Sequence, residues 1–240
     1  MSAQGLTNAA NAGRYRPAGL YRRSVAWSID AALLAPVALL VSWRWTAPAA
    51  SGWVGDVEAL LNHGGQTLAA AVIGGAPITG WATSMLRDPQ LAASIAATQA
   101  ASWALLWPGV LAFALLGALY HGASECLAWQ GSPGKRLLGL RVHDRHGQPL
   151  GIGHALLRHV AGSLSWLTLN LGHALAALAP QHLALHDRCS GTRVVACAGP
   201  PPRWALAWLG LLALATAGAA TWLANRAVQV MGAALEQALY

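Results

Sequence analysis

The sequence predicts an all-α membrane protein with three to four transmembrane helices, a re-entrant or interfacial helical segment and a small cytoplasmic β-hairpin-like element. Hydrophobic residues make up 55% of the chain and charged residues only 10%, and the apolar residues are gathered in runs long enough to cross a bilayer. The net charge of +7 is typical of the excess of Lys and Arg that sets membrane topology. No nucleic-acid partner is expected, because basic and aromatic residues are not interleaved.

The first span is predicted from about residue 24 to residue 45, and it contains Asp30. An ionisable group inside a bilayer is costly, so Asp30 is a candidate functional residue. A cation, a bound proton or a water-filled crevice could stabilise it. Arg23 lies two helical turns earlier on the same face, ~10 Å away along the axis, and is one candidate partner.

Residues 46–96 are rich in Gly, Ala and Thr and are predicted to form an extracytoplasmic loop with a short helix. The second span is centred on residues 100–120, and the last covers Trp204–Leu223. We therefore expect three domains: a mobile cytoplasmic tail over 1–20, a membrane domain over 21–196, and an appended helix and tail over 197–240. The arginines before the first span predict a cytoplasmic N-terminus.

The charged segment that follows the second span is expected on the cytoplasmic side. Leu138–His143 is predicted to form a strand, followed by a turn over residues 144–147 and a return. The strand-like run Gly191–Ala196 needs a partner, and the first strand is the obvious one. Four basic residues of this region are expected to support the site, and its cations to contact anionic lipid headgroups: Lys135, Arg136, Arg141 and Arg158.

Residues 162–180 form an apolar segment that is interrupted by Asn170, Gly172 and His173. This segment could form one span or a re-entrant hairpin, because each half of about nine residues would reach only ~14 Å as a helix. The arginines between residues 181 and 203 favour the hairpin, since they would prefer the inside.

Four blocks carry a resemblance to a known family: RRSVAWSID (22–30), SPGKRLLGLRV (132–142), ALLRHV (155–160) and LHDRCSGTRVV (185–195). In this order they resemble the RDD family of small bacterial membrane proteins, which is named for one arginine and two aspartates. The resemblance implies that Arg23 is the arginine, that Asp30 and Asp187 are the aspartates, and that the protein lies in the bacterial inner membrane. The other matching positions are Gly134, His186, Arg188, Gly191 and Thr192.

The resemblance implies a transport role, and cation/proton exchange is the form that best suits a buried acid. We therefore expect a transport or cation/proton exchange module that uses Asp30 and works as a homo-oligomer, because three or four helices enclose little of a pathway. The alternative is a non-transporting scaffold or assembly factor in which Arg23, Asp30 and Asp187 form a structural ion-pair lock. Asp187 alone could also be a turn residue that accepts local N–H groups.

No enzymatic activity, cofactor or metal site is expected. The nine histidines include no HExxH motif, and no GxSxG motif surrounds the serines. The three cysteines, Cys126, Cys189 and Cys197, are too widely spaced for a CxxC metal site.

Overall fold

The computed structural model describes residues 15–178 and 180–239. The elements in chain order are β1 (Tyr15–Pro17), α1 (Leu20–Ile73), α2 (Ile78–Met85), α3 (Pro89–Cys126), α4 (Pro133–Leu137), β2 (Leu140–Asp144), α5 (Ile152–Leu167), α6 (Leu171–Ala174), a 3₁₀ turn (Leu175–Ala177), α7 (Leu185–Ser190), β3 (Thr192–Cys197) and α8 (Trp204–Leu239).

Three of these helices, α1, α3 and α8, are long and apolar enough to cross a membrane. They contain 54, 38 and 36 residues, and at ~1.5 Å per residue each exceeds the ~30 Å hydrocarbon core. Large apolar side chains such as Leu40, Leu119 and Leu214 are exposed along them, as expected for surfaces that face lipid. The predicted class, an all-α membrane protein with a small sheet, is confirmed.

The segment predicted to be a loop over residues 46–96 is instead mostly helical. Helix α1 continues to Ile73, α2 follows, and α3 begins at Pro89. The segment is rich in alanine, the strongest helix former, and Pro89 is suited to the first helical position. Asp88 caps α3, because its Oδ1 accepts the N–H of Gln90 at 2.8 Å. The glycines and threonines of this segment, which are poorer helix formers than alanine, favoured the prediction of a loop.

The chain divides into two compact units: residues 1–38 with 112–210, and residues 39–111 with 211–240. In the second unit, α1 and α8 approach closely at Gly65, where an added Cβ would lie 2.8 Å from the Cβ of Ala234. The units do not follow the predicted boundaries after residues 20 and 196. The predicted loop and the last helix from residue 211 onward lie in the same unit, while residues 204–210 of that helix lie in the first unit.

The strands form one antiparallel sheet in the order β1-β3-β2. The predicted pairing of β2 with β3 is confirmed, with Leu140 opposite Ala196 and Val142 opposite Val194. The chain turns back over residues 144–147 as predicted, with the N–H of Asp144 donating to the carbonyl of Gln148 at 3.0 Å, but no further strand follows before α5. Asp144 fixes this turn, since its Oδ1 accepts the N–H groups of residues 146 and 148 at 2.8 Å each.

The strand β1 comes from the segment predicted to be a mobile tail. Residues Tyr15–Pro17 pair with residues 197–195 of β3, so this part of the tail is structured. Residues 1–14 of the predicted tail lie outside the described residues.

The core of the first unit lies between the sheet and the first turns of α1. Leu140, Val142 and Val25 are fully buried. Alternation of Leu140 and Val142 around the half-buried Arg141 places both apolar side chains on one face of β2. The sheet thereby fixes the start of α1, which carries Arg23 and Asp30.

Residues 162–180 do not form a single helix. Helix α5 ends at Leu167, and the chain reverses through Leu169 and Asn170, which have positive φ values of 51° and 64°. Only the short α6 and a 3₁₀ turn follow. The predicted interruption at Asn170 is confirmed, because asparagine tolerates the left-handed conformation, and the single-span alternative is wrong.

Candidate functional site

Arg23 is largely but not fully buried in the first unit, with 12% of its side chain exposed, and each of its three nitrogen atoms donates a hydrogen bond. Its Nη1 pairs with Asp187 Oδ2 at 2.5 Å. Its Nε donates to the carbonyl of Ala18 at 2.8 Å, and its Nη2 donates to the carbonyl of His182 at 2.6 Å. Arg23 therefore ties the start of α1 to the segment around α7.

Asp187 accepts hydrogen bonds from two arginines and from the backbone N–H of Ala184. Arg158 Nη1 donates to its Oδ1, Arg23 donates to its Oδ2, and the N–H of Ala184 donates to Oδ2 at 2.9 Å. Burial alone would raise the pKa of this carboxyl, but the two guanidinium groups outweigh it and hold the pKa well below its usual range. Asp187 thus lies within α7 and not in a turn, but it accepts a local backbone N–H and is the counter-ion of Arg23, as the sequence suggested.

Arg158 connects this pair to a second carboxylate. Its Nε lies 3.3 Å from Glu125 Oε2, and its Nη1 also donates to Thr192 Oγ1 at 2.7 Å. Lys135 Nζ pairs with Glu125 Oε1 at 2.6 Å. Burial would lower the pKa of Arg158, but the carboxylates of Asp187 and Glu125 raise it above its usual value. We call the chain of five side chains the ion-pair network: Arg23, Asp187, Arg158, Glu125 and Lys135.

Glu125 is a site residue that the sequence analysis missed. It is 2% exposed and lies at the end of α3, where it is the only acidic residue of the helix. The reasoning that singled out Asp30 applies to it equally, because an acid that closes a long apolar run requires a buried partner.

Asp30 lies apart from the network and is 1% exposed. Its Oδ1 accepts the hydroxyl of Tyr120 and the N–H of Gly134, both at 2.8 Å, and its Oδ2 accepts the hydroxyl of Ser132. No Lys or Arg among the described residues pairs with this carboxylate. The SPGKR segment therefore binds Asp30 through its serine and glycine, while its lysine binds Glu125.

Gly134 is required by this contact. A Cβ at this position would lie 2.8 Å from Asp30 Oδ1 and would overlap the carbonyl oxygen of Ala26. Only glycine lets the backbone of α4 approach α1 closely enough for its N–H to reach the carboxylate.

The remaining residues that the sequence predicts for the site lie partly beside the ion-pair network and partly away from it. Thr192 and His186 are buried beside the network, with His186 Nε2 3.5 Å from Asp187 Oδ1. Gly191 ends α7 with a φ of +64°. Arg136 and Arg188 are exposed and lie outside the network. Arg141 also lies outside it, with its Cζ 5.4 Å from the centroid of the Tyr15 ring.

A cavity of about 560 Å³ borders both Asp30 and the network. It is lined by Asp30 and Glu125, and by the three cations Arg23, Lys135 and Arg158. Together, Asp30 and the ion-pair network contain three cationic side chains and three carboxylates. The charges balance when all six groups are ionised.

Comparison with known proteins supports the resemblance noted in the sequence. The model of the RDD family matches residues 17–191, a range that includes the network and Asp30. An uncharacterized protein, YxaI of Bacillus subtilis (strain 168), is 32% identical over 88 residues, which cover 37% of this chain and 58% of that protein. The chain thus matches little more than half the length of this relative. No solved structure matches the chain.

Replacing Asp187 by Asn is expected to destabilise the first unit by about 3–5 kcal/mol, because Arg23 and Arg158 would remain buried without their shared carboxylate. The thermal unfolding of purified protein in detergent measures the effect. Arg188→Gln, an exposed substitution on the same helix, is the control and should change stability by less than about 0.5 kcal/mol. Equal unfolding curves for both variants would contradict a structural role for the network.

Proposed function

This chain belongs to the RDD family, and we propose that it is a multi-pass membrane transport module in which Asp30 exchanges a proton for a monovalent cation. The observation that carries this proposal is a contrast among three buried carboxylates. Asp187 and Glu125 each contact two cationic side chains. Asp30 contacts neutral donors and lines the cavity.

Permanent counter-ions make Asp187 and Glu125 poor exchange sites. An incoming cation would have to displace a guanidinium or ammonium group that is already desolvated and hydrogen-bonded. Protonating either carboxylate would leave buried cations without their partner. These two acids are better suited to holding the helices together.

The partners of Asp30 are compatible with a change of protonation. The hydroxyls of Ser132 and Tyr120 can donate or accept. A protonated Asp30 can therefore donate to one of them after that hydroxyl turns its own proton away. The same hydroxyl and carboxylate oxygens are hard ligands of the kind that alkali cations prefer.

The ion-pair network favours a second candidate, the non-transporting scaffold. It joins α1, α3, α4, α5 and α7 through buried charges, as a structural lock would require. Its members differ from the expected lock, since Glu125 and Arg158 take part and Asp30 does not. The ion-pair network could be present in a transporter as well as in a scaffold, so its presence does not decide between the two candidates. A measurement of ion flux does.

Asp30→Asn is expected to abolish cation-driven proton flux in vesicles that contain the purified protein, with flux falling at least about tenfold. Asn keeps one acceptor oxygen for Ser132 or Gly134 but cannot bind a proton. A pH-sensitive dye inside the vesicles reports flux when Na⁺ or K⁺ is added outside.

The matched control is Asp56→Asn, on the same helix but in the second unit, which should retain wild-type flux. Asp30→Asn protein that folds and still carries the flux would contradict the proposal. Wild-type protein that folds and carries no flux with either cation would favour the scaffold.

We further propose that the sheet faces the cytoplasm of a bacterial cell, with the protein in the inner membrane as a homo-oligomer. Six described arginines of the first unit are exposed and suited to anionic lipid headgroups, at ~1 kcal/mol per cation: Arg16, Arg136, Arg145, Arg188, Arg193 and Arg203. The oligomer would supply the helices that three candidate spans lack for enclosing a pathway.

The exposed thiols of Cys189 and Cys197 allow the orientation to be tested without new reporters. A membrane-impermeant maleimide should not label them in intact spheroplasts and should label them after permeabilisation. A variant with both replaced by Ser provides the background from Cys126. Labelling of these two thiols in intact spheroplasts would contradict a cytoplasmic sheet.

A further inference from the structure

The cavity beside Asp30 also has an apolar wall, which ion exchange does not require. Phe113 and Trp166 lie on it with ring centroids 6.0 Å apart, and Leu34 is a further part of the lining. The volume of about 560 Å³ is within the range of small-molecule pockets. A bare cation would leave most of this space and all of the aromatic surface unused.

Three histidines of the lining have a buried Nδ1 without a hydrogen-bond partner among the described residues: His121, His173 and His186. Two of them, His173 and His186, lie side by side. Their ring centroids are 5.0 Å apart, and neither Nδ1 has a hydrogen-bond partner among the described residues. His186 is only 9% exposed. A buried donor or acceptor without a partner is unfavourable, and a ligand with a hydrogen-bonding group would provide the missing partner.

The histidines do not form a metal site with their neighbours. His182 and His186 are four residues apart in the sequence, but His182 Nδ1 bonds the carbonyl of Ala176 at 2.9 Å. Within residues 15–178 and 180–239, no three His, Cys, Asp or Glu side chains are placed to hold a metal ion. The imidazoles of His173 and His186 are therefore considered as hydrogen-bonding groups.

A glycine on α5 keeps space open beside these imidazoles. A Cβ at Gly162 would lie 3.8 Å from His173 Nε2 and 3.8 Å from His186 Nδ1, and Gly162 itself lines the cavity. On the same helix, a Cβ at Gly153 would have no atom within 4 Å.

We propose that this cavity binds a small, neutral amphipathic molecule with a hydroxyl or carbonyl head. The head bonds His173 and His186, and the apolar body packs against Phe113 and Trp166. A charged head is disfavoured, because Arg23, Lys135 and Arg158 are already paired with carboxylates and a further buried charge would lack a counter-ion. Burial, with Arg158 contributing, lowers the pKa of both imidazoles, so they are neutral at pH 7.

Three related probes test the chemistry of the head: 1-naphthol, naphthalene and 1-naphthoate. Calorimetric titration of the full-length protein in lipid nanodiscs, with empty nanodiscs subtracted, measures their affinities. 1-Naphthol should bind at a saturable site about tenfold tighter than the other two, as expected for gaining one hydrogen bond without burying a charge. Tighter or equal binding of 1-naphthoate or naphthalene would overturn the proposal.

Gly162→Ala should weaken 1-naphthol binding about tenfold, because its methyl group would take the space beside the two imidazoles. Gly153→Ala is the control and should bind as wild type does. His173→Phe provides a second variant that keeps the ring volume and removes the nitrogens, so it should lose the preference for naphthol over naphthalene. Unchanged 1-naphthol affinity in Gly162→Ala, or an unchanged preference in His173→Phe, would overturn the proposal whatever the outcome of the flux assay.

Discussion

The contact between Arg158 and Asp187 is the interaction on which the rest of the first unit depends. Each of these residues has a second partner of opposite charge: Glu125 for the arginine and Arg23 for the aspartate. The desolvation of a buried ion is offset only when its charge is paired and its remaining hydrogen-bonding positions are filled. Here the backbone N–H of Ala184 and the hydroxyl of Thr192 fill two of them. Removing Arg158 would take a cationic partner from both Asp187 and Glu125, and removing Asp187 would take a carboxylate partner from both Arg158 and Arg23.

Arg23, Asp30 and Asp187, the three residues that the family resemblance singles out, thus have two different kinds of partner. Arg23 and Asp187 belong to the ion-pair network, whereas Asp30 binds the start of α4 through neutral donors. The network fixes the positions of the elements that carry Ser132, Gly134 and Tyr120. An acid that exchanges ions requires such a fixed frame, because its partners must return to the same geometry after each proton or cation leaves.

The sequence predicted the members of this site better than their pairing. Asp30 was identified because it interrupts an apolar helix, and Arg23 because it lies two turns away on the same face. That spacing also separates them by ~10 Å along the axis, so each finds its partner on another element. Those side-chain partners lie 90 or more positions away in the sequence, as Ser132 and Asp187 do, and only tertiary packing brings them together. Glu125 was overlooked although it satisfied the same criterion as Asp30.

The pairing of β2 with β3 was predictable because both runs alternate apolar residues and each needed a partner. By contrast, β1 is only three residues long and lies in a segment of mixed composition, where local sequence carries little strand signal. Residues 46–73 are helical, although the glycines and threonines among them suggested a loop. Helix propensity over such a long segment, supported by packing of α1 against α8 within the second unit, outweighs a few unfavourable residues.

We propose that Asp30, and not the paired carboxylates of Asp187 and Glu125, exchanges a proton for a cation. Proton release on addition of Na⁺ or K⁺ to purified protein in weakly buffered detergent solution tests this most directly. The account predicts that wild-type protein releases protons as it binds the cation, and that folded Asp30→Asn protein releases none. Equal release by the two proteins, or cation binding without proton release in the wild type, would contradict it.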